Sequence, residues 1–320
     1  MADYAAICRM LGAEARCNEP MADHTTMRIG GPADVYVPVH DVSELVGAVR
    51  VARMAGLRYF LLGEGANLLV SDAGIRGIVI ENRAQHMVVH CLENGISVYA
   101  ESGAPLAEVA RYCTRQGIGG LEWAVDIPGS IGGAVVGNAG AYGGRMSDVV
   151  QSISVLTRQN EVVTLTAQEI GFGYRTSRLK VEGIGSEDRT VVLGVEMLLP
   201  WGVREELEQQ AAQYTKRRWD RQPPEPSAGS IFKRTADYPA GYLIEQAGLK
   251  GLQLGQAQIS PRHANVIVNL GGARAQDVKT LMDIARTMVR ERFGQILEPE
   301  IEMVGEWPEP MTNLPPWKPE

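Results

Sequence analysis

The chain has 320 residues, of which 45% are hydrophobic and 22% are charged, and its formal net charge is −7. These proportions are ordinary for a globular protein, and the length suffices for two or three domains. The acidic balance argues against nucleic-acid binding as the main function, because surfaces that bind nucleic acid are basic. The sequence contains no apolar run of membrane-spanning length and no signal-peptide pattern, so we expect a cytoplasmic protein.

The predicted elements of the first 200 residues begin with a helical lead-in over residues 1–24. A helix is predicted to begin at Asp41, with Glu44 as its capping-box partner, and another helix covers residues 104–116. Apolar runs bounded by turn residues predict short strands at residues 35–37, 57–62, 78–80, 87–91, 96–100, 149–157, 162–165 and 191–199. The strands at 149–157 and 162–165 should form a hairpin around Gln159-Asn160.

Pro200-Trp201-Gly202 marks the predicted start of a third region. Its first element is a long polar helix, whose acidic residues lie early and whose basic residues lie late, as the helix dipole prefers. The predicted elements are helices at 203–219, 240–247 and 275–293 and strands at 264–269 and 301–304. The tail from Glu306 holds five prolines and should be extended and peripheral. The whole pattern indicates an α+β protein.

The chain contains four cysteines: Cys8, Cys17, Cys91 and Cys113. None forms a C-x-x-C pair, so neither a zinc ribbon nor a thioredoxin motif is indicated, and a reducing cytoplasm fits. His86 and His90 could in principle ligate a metal together with the cysteine that follows. They flank a strand-like segment without further ligands, so we predict no metal site.

Residues 127–144 form a glycine-rich stretch in which seven of eighteen residues are glycine. Such a run is favoured where backbone N–H groups must approach phosphate oxygens closely. Interleaved apolar residues argue against a flexible linker, while a glycine packing corner without a ligand remains an alternative. A glycine turn that comes earlier in the chain, residues 62–70, follows a predicted strand but completes no G-x-G-x-x-G; it is the first glycine turn in chain order, and residues 127–144 hold the second. The Rossmann fingerprint therefore fails.

Four further stretches place polar or charged groups among turns: residues 174–178, 226–234, 258–265 and 297–302. Arg175 could hold a carboxylate, although an exposed salt bridge is the commoner use of a loop arginine. Ser230 lies outside any G-x-S-x-G elbow, and a local backbone hydrogen bond is its alternative role. Glu298, Glu300 and Glu302 share one face of a strand, which is either solvated or catalytic.

In combination and order, these motifs resemble those of the UDP-N-acetylenolpyruvoylglucosamine reductases, flavoenzymes of bacterial peptidoglycan precursor synthesis. Matching motifs include T-T-M-R-I-G-G-P-A, L-G-E-G-A-N-L-L-V-S-D, Y-R-T-S, P-S-A-G-S-I-F-K-R, I-S-P-R-H-A-N and L-E-P-E, spread over residues 25–304. The resemblance implies a two-part FAD-binding domain of the vanillyl-alcohol-oxidase (PCMH) type over residues 25–200, with lobes at 25–82 and 83–200. A substrate-binding domain would cover residues 201–305, between the lead-in at 1–24 and the tail at 306–320.

The resemblance implies NADPH-dependent, FAD-mediated reduction of UDP-N-acetylglucosamine enolpyruvate to UDP-N-acetylmuramate. In family members NADPH reduces FAD, a hydride passes from flavin N5 to the terminal vinyl carbon, and a proton is added to the adjacent carbon. The family's proton-donating serine falls on Ser230, its arginine on Arg175 and its glutamate on Glu300. The connection between Leu179 and Val191 is short and lacks the tyrosine-bearing insertion of type I members, so the chain resembles the type II form.

The resemblance also implies the contact residues. FAD would be contacted by Arg28, Gly30, Gly63, Gly65, Ala66, Asn67, Leu68, Pro128, Gly129, Ser130, Gly132, Gly133, Asn138, Ala139 and Gly140. The substrate would be contacted by Tyr174, Arg175, Arg221, Lys233 and Arg234. Two departures lie near the expected flavin: Ala66 replaces a frequent serine and Asp126 a frequent small residue. We expect a monomer.

Two alternatives belong to other functional classes. A related flavoprotein oxidase would react with O₂ and typically tether its flavin, but the matched flavin motifs offer no histidine or cysteine for a tether. A non-enzymatic protein that binds FAD or a sugar nucleotide would not need Arg175, Ser230 and Glu300 together. Dependence of turnover on the enolpyruvyl substrate separates all three classes.

Overall fold

A computed structural model of the chain describes residues 4–183 and 189–307. Helix α1 (Tyr4–Leu11) leads into strand β1 (Arg16–Pro20), which pairs antiparallel with β2 (Pro32–Val39). The helical lead-in predicted for residues 1–24 is therefore wrong over residues 12–20, and it is followed by one short 3₁₀ helix, Met21–His24. The segment R-C-N-E-P lacks an alternating apolar pattern, and its pairing with β2 is a tertiary effect that local sequence does not encode.

The first lobe is a sheet with the strand order β1-β2-β5-β3. Its further elements are α2 (Val42–Met54), β3 (Tyr59–Leu62) and β5 (Ile75–Asn82), with β4 (Leu68–Val70) outside this sheet. Strands β2, β5 and β3 run parallel, and α2 packs its buried residues Leu45, Val49 and Ala52 on them. Asp41 caps α2 as predicted, because its carboxylate accepts from the Glu44 N–H at 2.8 Å.

The second lobe is an antiparallel sheet with the strand order β11-β10-β12-β7-β6. Its strands are β6 (Met87–Leu92), β7 (Gly95–Glu101), β10 (Val150–Leu156), β11 (Val162–Thr166) and β12 (Val191–Leu199). Between them lie the helices α3 (Leu106–Arg115), α4 (Ile131–Val136), α5 (Ala167–Ile170) and α6 (Arg178–Gly183) and the short strands β8 (Gly140–Ala141) and β9 (Gly144–Arg145). The predicted hairpin around Asn160 is confirmed.

The third region is mixed, as the sequence predicts. Its elements are α7 (Arg204–Trp219), α8 (Ala240–Gln246), β13 (Gln253–Leu254), β14 (Ala257–Ile259), β15 (Ile267–Asn269), α9 (Ala275–Phe293) and β16 (Glu302–Val304). Helix α7 contacts α3, and its residues Ala211 and Tyr214 pack with the core of the second lobe. The predicted domain boundary at residue 201 stays a prediction. Residues 308–320, most of the proline-rich tail, lie outside the described residues.

The last strand returns to the first glycine turn. Strand β16 pairs in parallel with β4, which follows the turn at residues 62–67. Helix α9 is joined to the same region, since the Asp72 carboxylate accepts from the N–H groups of Ala275 at 2.8 Å and Gln276 at 3.0 Å. These links bring residues 297–304 beside residues 63–70. Within the described ranges, no helix is both long and apolar enough to cross a membrane.

Candidate active site

The two glycine turns lie against each other. A Cβ atom placed on Gly63 would come within 2.3 Å of the Ser130 Oγ, so glycine is needed for this approach. The backbone N–H of Gly129 donates to the Glu64 carboxylate at 2.5 Å. Gly129 has a φ of +122°, a conformation that glycine adopts at little cost.

The segment at residues 25–30 completes this corner. Thr26 donates its N–H to the Gly65 carbonyl at 3.2 Å and its hydroxyl to the Ser227 carbonyl at 2.8 Å. Arg28 is exposed and has a φ of +54°, and the buried Asn269 donates to its carbonyl at 3.2 Å. The corner therefore joins the first lobe to the third region.

The other residues predicted to contact the cofactor lie on or beside these turns. Gly30, Gly132 and Gly140 are explained by close packing, because a Cβ atom at each would come within 2.9 Å of another residue. Ser130 accepts from the N–H of Gly133 at 3.3 Å and caps α4. The rest are exposed or half-buried: Ala66, Asn67, Leu68, Pro128 and Ala139.

Asn138 connects the glycine-rich stretch to the arginine turn. Its Nδ2 donates to the Gly173 carbonyl at 2.9 Å, and its Oδ1 accepts from the Ser147 N–H at 3.0 Å. Gly173 and Thr176 pair across a two-residue corner formed by Tyr174 and Arg175. The side chain of Asn138 thus binds backbone on both sides and fixes the corner that carries the predicted catalytic arginine.

Arg175 adopts a left-handed backbone conformation, with a φ of +55°. This conformation costs a non-glycine residue ~1 kcal/mol or more, and such strain is concentrated at functional sites. The Lys180 ammonium, on α6, donates to the Arg175 carbonyl at 3.4 Å. The corner is thus held from both ends, and the arginine side chain leaves it toward the third region.

Ser230 lies in a segment that is held between two other segments of the same chain. On one side, the Asn265 side chain accepts from the Phe232 N–H at 3.0 Å and donates to the Phe232 carbonyl at 2.8 Å. On the other side, the Glu300 N–H donates to the Ile231 carbonyl at 2.8 Å. Ser230 is half-buried, and its hydroxyl has no hydrogen-bond partner in residues 4–183 and 189–307. It is therefore available to a ligand.

The clamp by Asn265 accounts for a wrong strand prediction. The predicted strand at 264–269 is limited to residues 267–269. Residues 263–266 form a turn instead, in which the Val266 N–H donates to the His263 carbonyl at 2.9 Å. Ala264 and Ile267 belong to the same buried cluster as Phe232, so burial of apolar side chains here does not require a longer strand.

Glu300, the third predicted catalytic residue, contacts Arg175 and the backbone next to Ser230. Its Oε1 lies 2.8 Å from the Nε of Arg175, and both side chains are mostly buried. The Nε–H does not point at this oxygen, since the buried Nε lacks a hydrogen-bond partner in the described part of the chain. The Glu300 carbonyl accepts from Asn67 at 3.1 Å, which places the acid beside the first glycine turn. The Arg175 and Glu300 side chains therefore lie together beside this turn, and the Glu300 backbone is bonded to Ile231, the residue after Ser230.

The surroundings of Glu300 raise the pKa of its carboxyl above the ordinary value. Burial raises the pKa of its carboxyl, and the positive charges of Arg175, Lys180 and Lys233 partly oppose that rise. Burial likewise lowers the pKa of Lys180. Lys180 is not among the residues predicted from the sequence, although its position between two apolar residues, Leu179 and Val181, is a signal of partial burial.

Besides Arg175, four residues were predicted to contact the substrate. Two of them, Tyr174 and Lys233, lie near the pair of Arg175 and Glu300. The Lys233 ammonium lies 2.6 Å from the Glu298 carboxylate, and its side chain is largely buried. Tyr174, next to Arg175, is 64% exposed. Arg221 lies beside His263, whose pKa is lowered mainly by burial and further by that positive charge. Arg234 is exposed.

The residues present fit a phosphate-bearing cofactor. The Gly129 N–H already binds an anionic oxygen, that of Glu64, which is the chemistry that a phosphate requires. A Cβ atom on Gly129 would meet nothing closer than 3.9 Å, so space remains on that side. Among the described residues, no group of three or more His, Cys, Asp or Glu side chains is placed to hold a metal ion.

Two family comparisons match this arrangement. The family described as "FAD binding domain" matches residues 33–166, and the C-terminal domain family of UDP-N-acetylenolpyruvoylglucosamine reductase matches residues 222–304. The fold class predicted from the sequence, a two-part FAD-binding domain followed by an α+β domain, is thereby confirmed.

Relatives match over nearly the whole chain. A UDP-N-acetylenolpyruvoylglucosamine reductase of Lachnoclostridium phytofermentans is 40% identical over 91% of this chain and 93% of its own length. Reductase 2 of Symbiobacterium thermophilum is 44% identical over 91% of this chain and 92% of its own. The crystal structure of the Thermus caldophilus reductase has 34% identity and a TM-score of 0.75, covering 91% of this chain and 98% of that one. The chain belongs to the UDP-N-acetylenolpyruvoylglucosamine reductase family and is a flavin-dependent oxidoreductase.

Proposed function

We propose that this chain reduces UDP-N-acetylglucosamine enolpyruvate to UDP-N-acetylmuramate, a step of peptidoglycan precursor synthesis, with NADPH as the reductant. The observation that carries the proposal is the convergence of Arg175, Ser230 and Glu300, drawn from three distant parts of the sequence, beside the glycine turn at Asn67. The reaction uses nucleotide substrates of the cytoplasm, where we place the protein, as a monomer.

The cofactor would be held by the two glycine turns and by the corner at residues 25–30. Backbone N–H groups at Gly129 and in the 63–67 turn would bind the pyrophosphate, and the Glu64 carboxylate would leave the Gly129 N–H when it does. FAD, when bound, supplies the hydride that adds to the vinyl carbon of the substrate. The chain supplies orientation, charge and a proton.

Arg175 and Glu300 would act on the carboxylate of the enolpyruvyl group. Hydride addition at the terminal carbon moves negative charge onto that carboxylate, which becomes enolate-like. Arg175 stabilises the charge as it develops, because the attraction between a partly buried guanidinium and a negative charge is stronger than it would be in water. Burial raises the pKa of Glu300, and in its protonated form this side chain can donate a hydrogen bond to the same oxygens.

Ser230 would deliver the proton to the carbon next to the carboxylate. A serine hydroxyl is a weak acid, but it can protonate a strongly basic carbanion when it is positioned beside it. The clamp by Asn265 and residues 298–300 fixes the Ser230 backbone, and the unpartnered hydroxyl leaves its proton free for transfer. The proton would then be replaced from solvent.

Steady-state kinetics test the proposal. NADPH oxidation by the FAD-loaded protein should depend on UDP-N-acetylglucosamine enolpyruvate, and UDP-N-acetylmuramate should form in equal amount. Equal turnover with O₂ and no enolpyruvyl substrate would favour the oxidase. A protein that binds no FAD would overturn the proposal, and gel filtration would test the monomer.

Gly63→Ala should weaken FAD binding by about tenfold or more, because the added Cβ atom would push Ser130 and the second glycine turn away. Fluorescence titration of the FAD-free protein with FAD measures the change. Gly47→Ala, in α2, is the matched control, since a Cβ atom there meets nothing within 4 Å. Equal FAD affinities for the two variants would contradict the assigned role of the turns.

Lys180→Met should move the alkaline limb of the substrate-reducing half-reaction to higher pH. Glu300 must be protonated to donate, so this half-reaction slows as pH rises through its pKa. Removing the Lys180 charge removes one influence that lowers this pKa, so the protonated form should persist to higher pH.

The control for this pH profile is Arg178→Met, which removes one positive charge from the same helix at an exposed position paired with Glu182. The alkaline limb of the pH profile of this variant should coincide with that of the unchanged protein. A limb that moves to lower pH in Lys180→Met would contradict the assignment of Glu300.

A further inference from the structure

Two of the four cysteines lie in contact, although the sequence pattern predicts no pair. The Sγ atoms of Cys8, on α1, and Cys17, on β1, are 2.7 Å apart. A disulfide bond is ~2.05 Å long, so closure needs an approach of only ~0.7 Å. Of the other cysteines, Cys91 is exposed and Cys113 is buried.

The fold holds the two thiols together through contacts that do not involve sulfur. Tyr4, Ile7 and Leu11 of α1 pack on the core of the first lobe. Cys17 is paired with Val35 in the ladder between β1 and β2. Because helix and strand are anchored separately on the same lobe, the proximity of the thiols belongs to the folded state.

We propose that Cys8 and Cys17 are a modification site, at which a small-molecule disulfide converts the two thiols into a reversible disulfide that joins α1 to β1. The exchange is balanced: two protein thiols and one RSSR give one protein disulfide and two RSH. The Cys17 thiolate attacks a sulfur of RSSR and releases RS⁻. Cys8 then attacks the Cys17 sulfur of the mixed disulfide and releases the second RS⁻, and the two protons lost by the cysteines protonate the released thiolates.

Exposure sets the order of these steps. Cys17 is exposed and Cys8 is half-buried, so a dissolved disulfide meets Cys17 first. Burial, together with the neighbouring Cys17, raises the pKa of the Cys8 thiol to about 12, which disfavours Cys8 as the first nucleophile. The influence of a charged Cys17 on Cys8 ends once Cys17 is in the mixed disulfide.

The bond would close a loop of roughly ten residues and tie the N-terminal helix to the edge of the first sheet. Closing such a loop restricts the unfolded chain, so folding and disulfide formation favour each other. On the loop-entropy scale the folded chain should form this disulfide on the order of 100-fold more readily than the unfolded chain.

The test is a redox titration of the FAD-loaded protein in defined ratios of oxidised to reduced glutathione. Samples are quenched with acid, alkylated, digested with trypsin without reduction and analysed by mass spectrometry. Cleavage after Arg9, Arg16 and Arg28 would yield residues 1–9 linked to residues 17–28. The same titration in urea gives the value for the unfolded chain.

We expect the two peptides to be linked within one chain, in protein that remains monomeric. The midpoint of the titration should lie at a ratio of oxidised to reduced glutathione on the order of 100-fold less oxidising for the native protein than in urea. Cys91→Ser should give the same midpoint, and Cys17→Ser should give no linked peptide. Equal midpoints with and without urea, mixed disulfides alone, or linkage only in disulfide-bonded dimers would each overturn the proposal.

Discussion

Ser230→Ala should leave reduction of the bound flavin by NADPH unchanged and slow reduction of the enolpyruvyl substrate by about 10²–10⁴-fold. The hydroxyl has no protein partner in the described ranges, so its removal breaks no hydrogen bond of the fold. The backbone of the segment stays fixed by Asn265 and Glu300. The variant therefore removes a proton donor and leaves the surrounding geometry in place. Stopped-flow absorbance of the flavin measures the two half-reactions separately.

Ser227→Ala is the matched control for this substitution. Ser227 lies three residues earlier in the same segment, and its fold contact is made by its backbone carbonyl, which accepts from Thr26. Both half-reactions should keep their rates in this variant. If Ser230→Ala slowed the two half-reactions alike, the serine would have a structural role and the assignment of the proton donor would be wrong.

Arg175→Met should slow reduction of the enolpyruvyl substrate by about 10²–10³-fold, the cost of removing one group that stabilises developing negative charge. The loss should appear in the rate constant at saturating substrate as well as in substrate affinity, because the charge on the carboxylate grows during hydride addition. Flavin reduction by NADPH should keep its rate. The measurement is a single-turnover experiment at increasing concentrations of the enolpyruvyl substrate.

Two variants complete this experiment. Arg178→Met removes the same side chain from an exposed position three residues away and should have no effect on either half-reaction. Arg175→Lys keeps the charge but loses the planar guanidinium, so it should recover part of the rate. A loss confined to substrate affinity, with an unchanged rate at saturation, would show that Arg175 binds the substrate but does not assist the chemistry.

Local patterns in the sequence predicted elements whose signals are local. Helix α9 has the predicted bounds, and the hairpin of β10 and β11 turns at Asn160, which adopts a φ of +64°. Both depend on short-range features: an apolar stripe at helical spacing, and a turn residue that tolerates left-handed backbone. The parallel pairing of β16 with β4 has no such signal, since its partners Glu302 and Leu68 lie far apart in sequence.

The candidate site likewise combines features that the sequence predicts with long-range contacts that it does not. Arg175, Ser230 and Glu300 came from the resemblance to a family, because motif order carries information that spacing alone does not. The structure adds the contact between Arg175 and Glu300 and the position of Lys180 near both, which depend on the meeting of residues 174–180 with the third region. These are long-range contacts, and no pattern within a short window of sequence encodes them.

Two residues expected near the cofactor, Asn138 and Asp126, have side chains that bind other parts of the chain. Asn138 binds backbone on both sides, and Asp126 pairs with Arg111 of α3 at 2.9 Å. In each case a partner from another element takes up the side chain.

Electrons taken from NADPH should pass through the bound flavin to the enolpyruvyl group. The most direct measurement uses the protein reduced anaerobically with one equivalent of NADPH and then mixed with UDP-N-acetylglucosamine enolpyruvate. The flavin should be reoxidised without O₂ within a catalytic turnover, and one equivalent of UDP-N-acetylmuramate should form. Flavin that stays reduced until O₂ is admitted, with no UDP-N-acetylmuramate formed, would contradict this route of electron transfer.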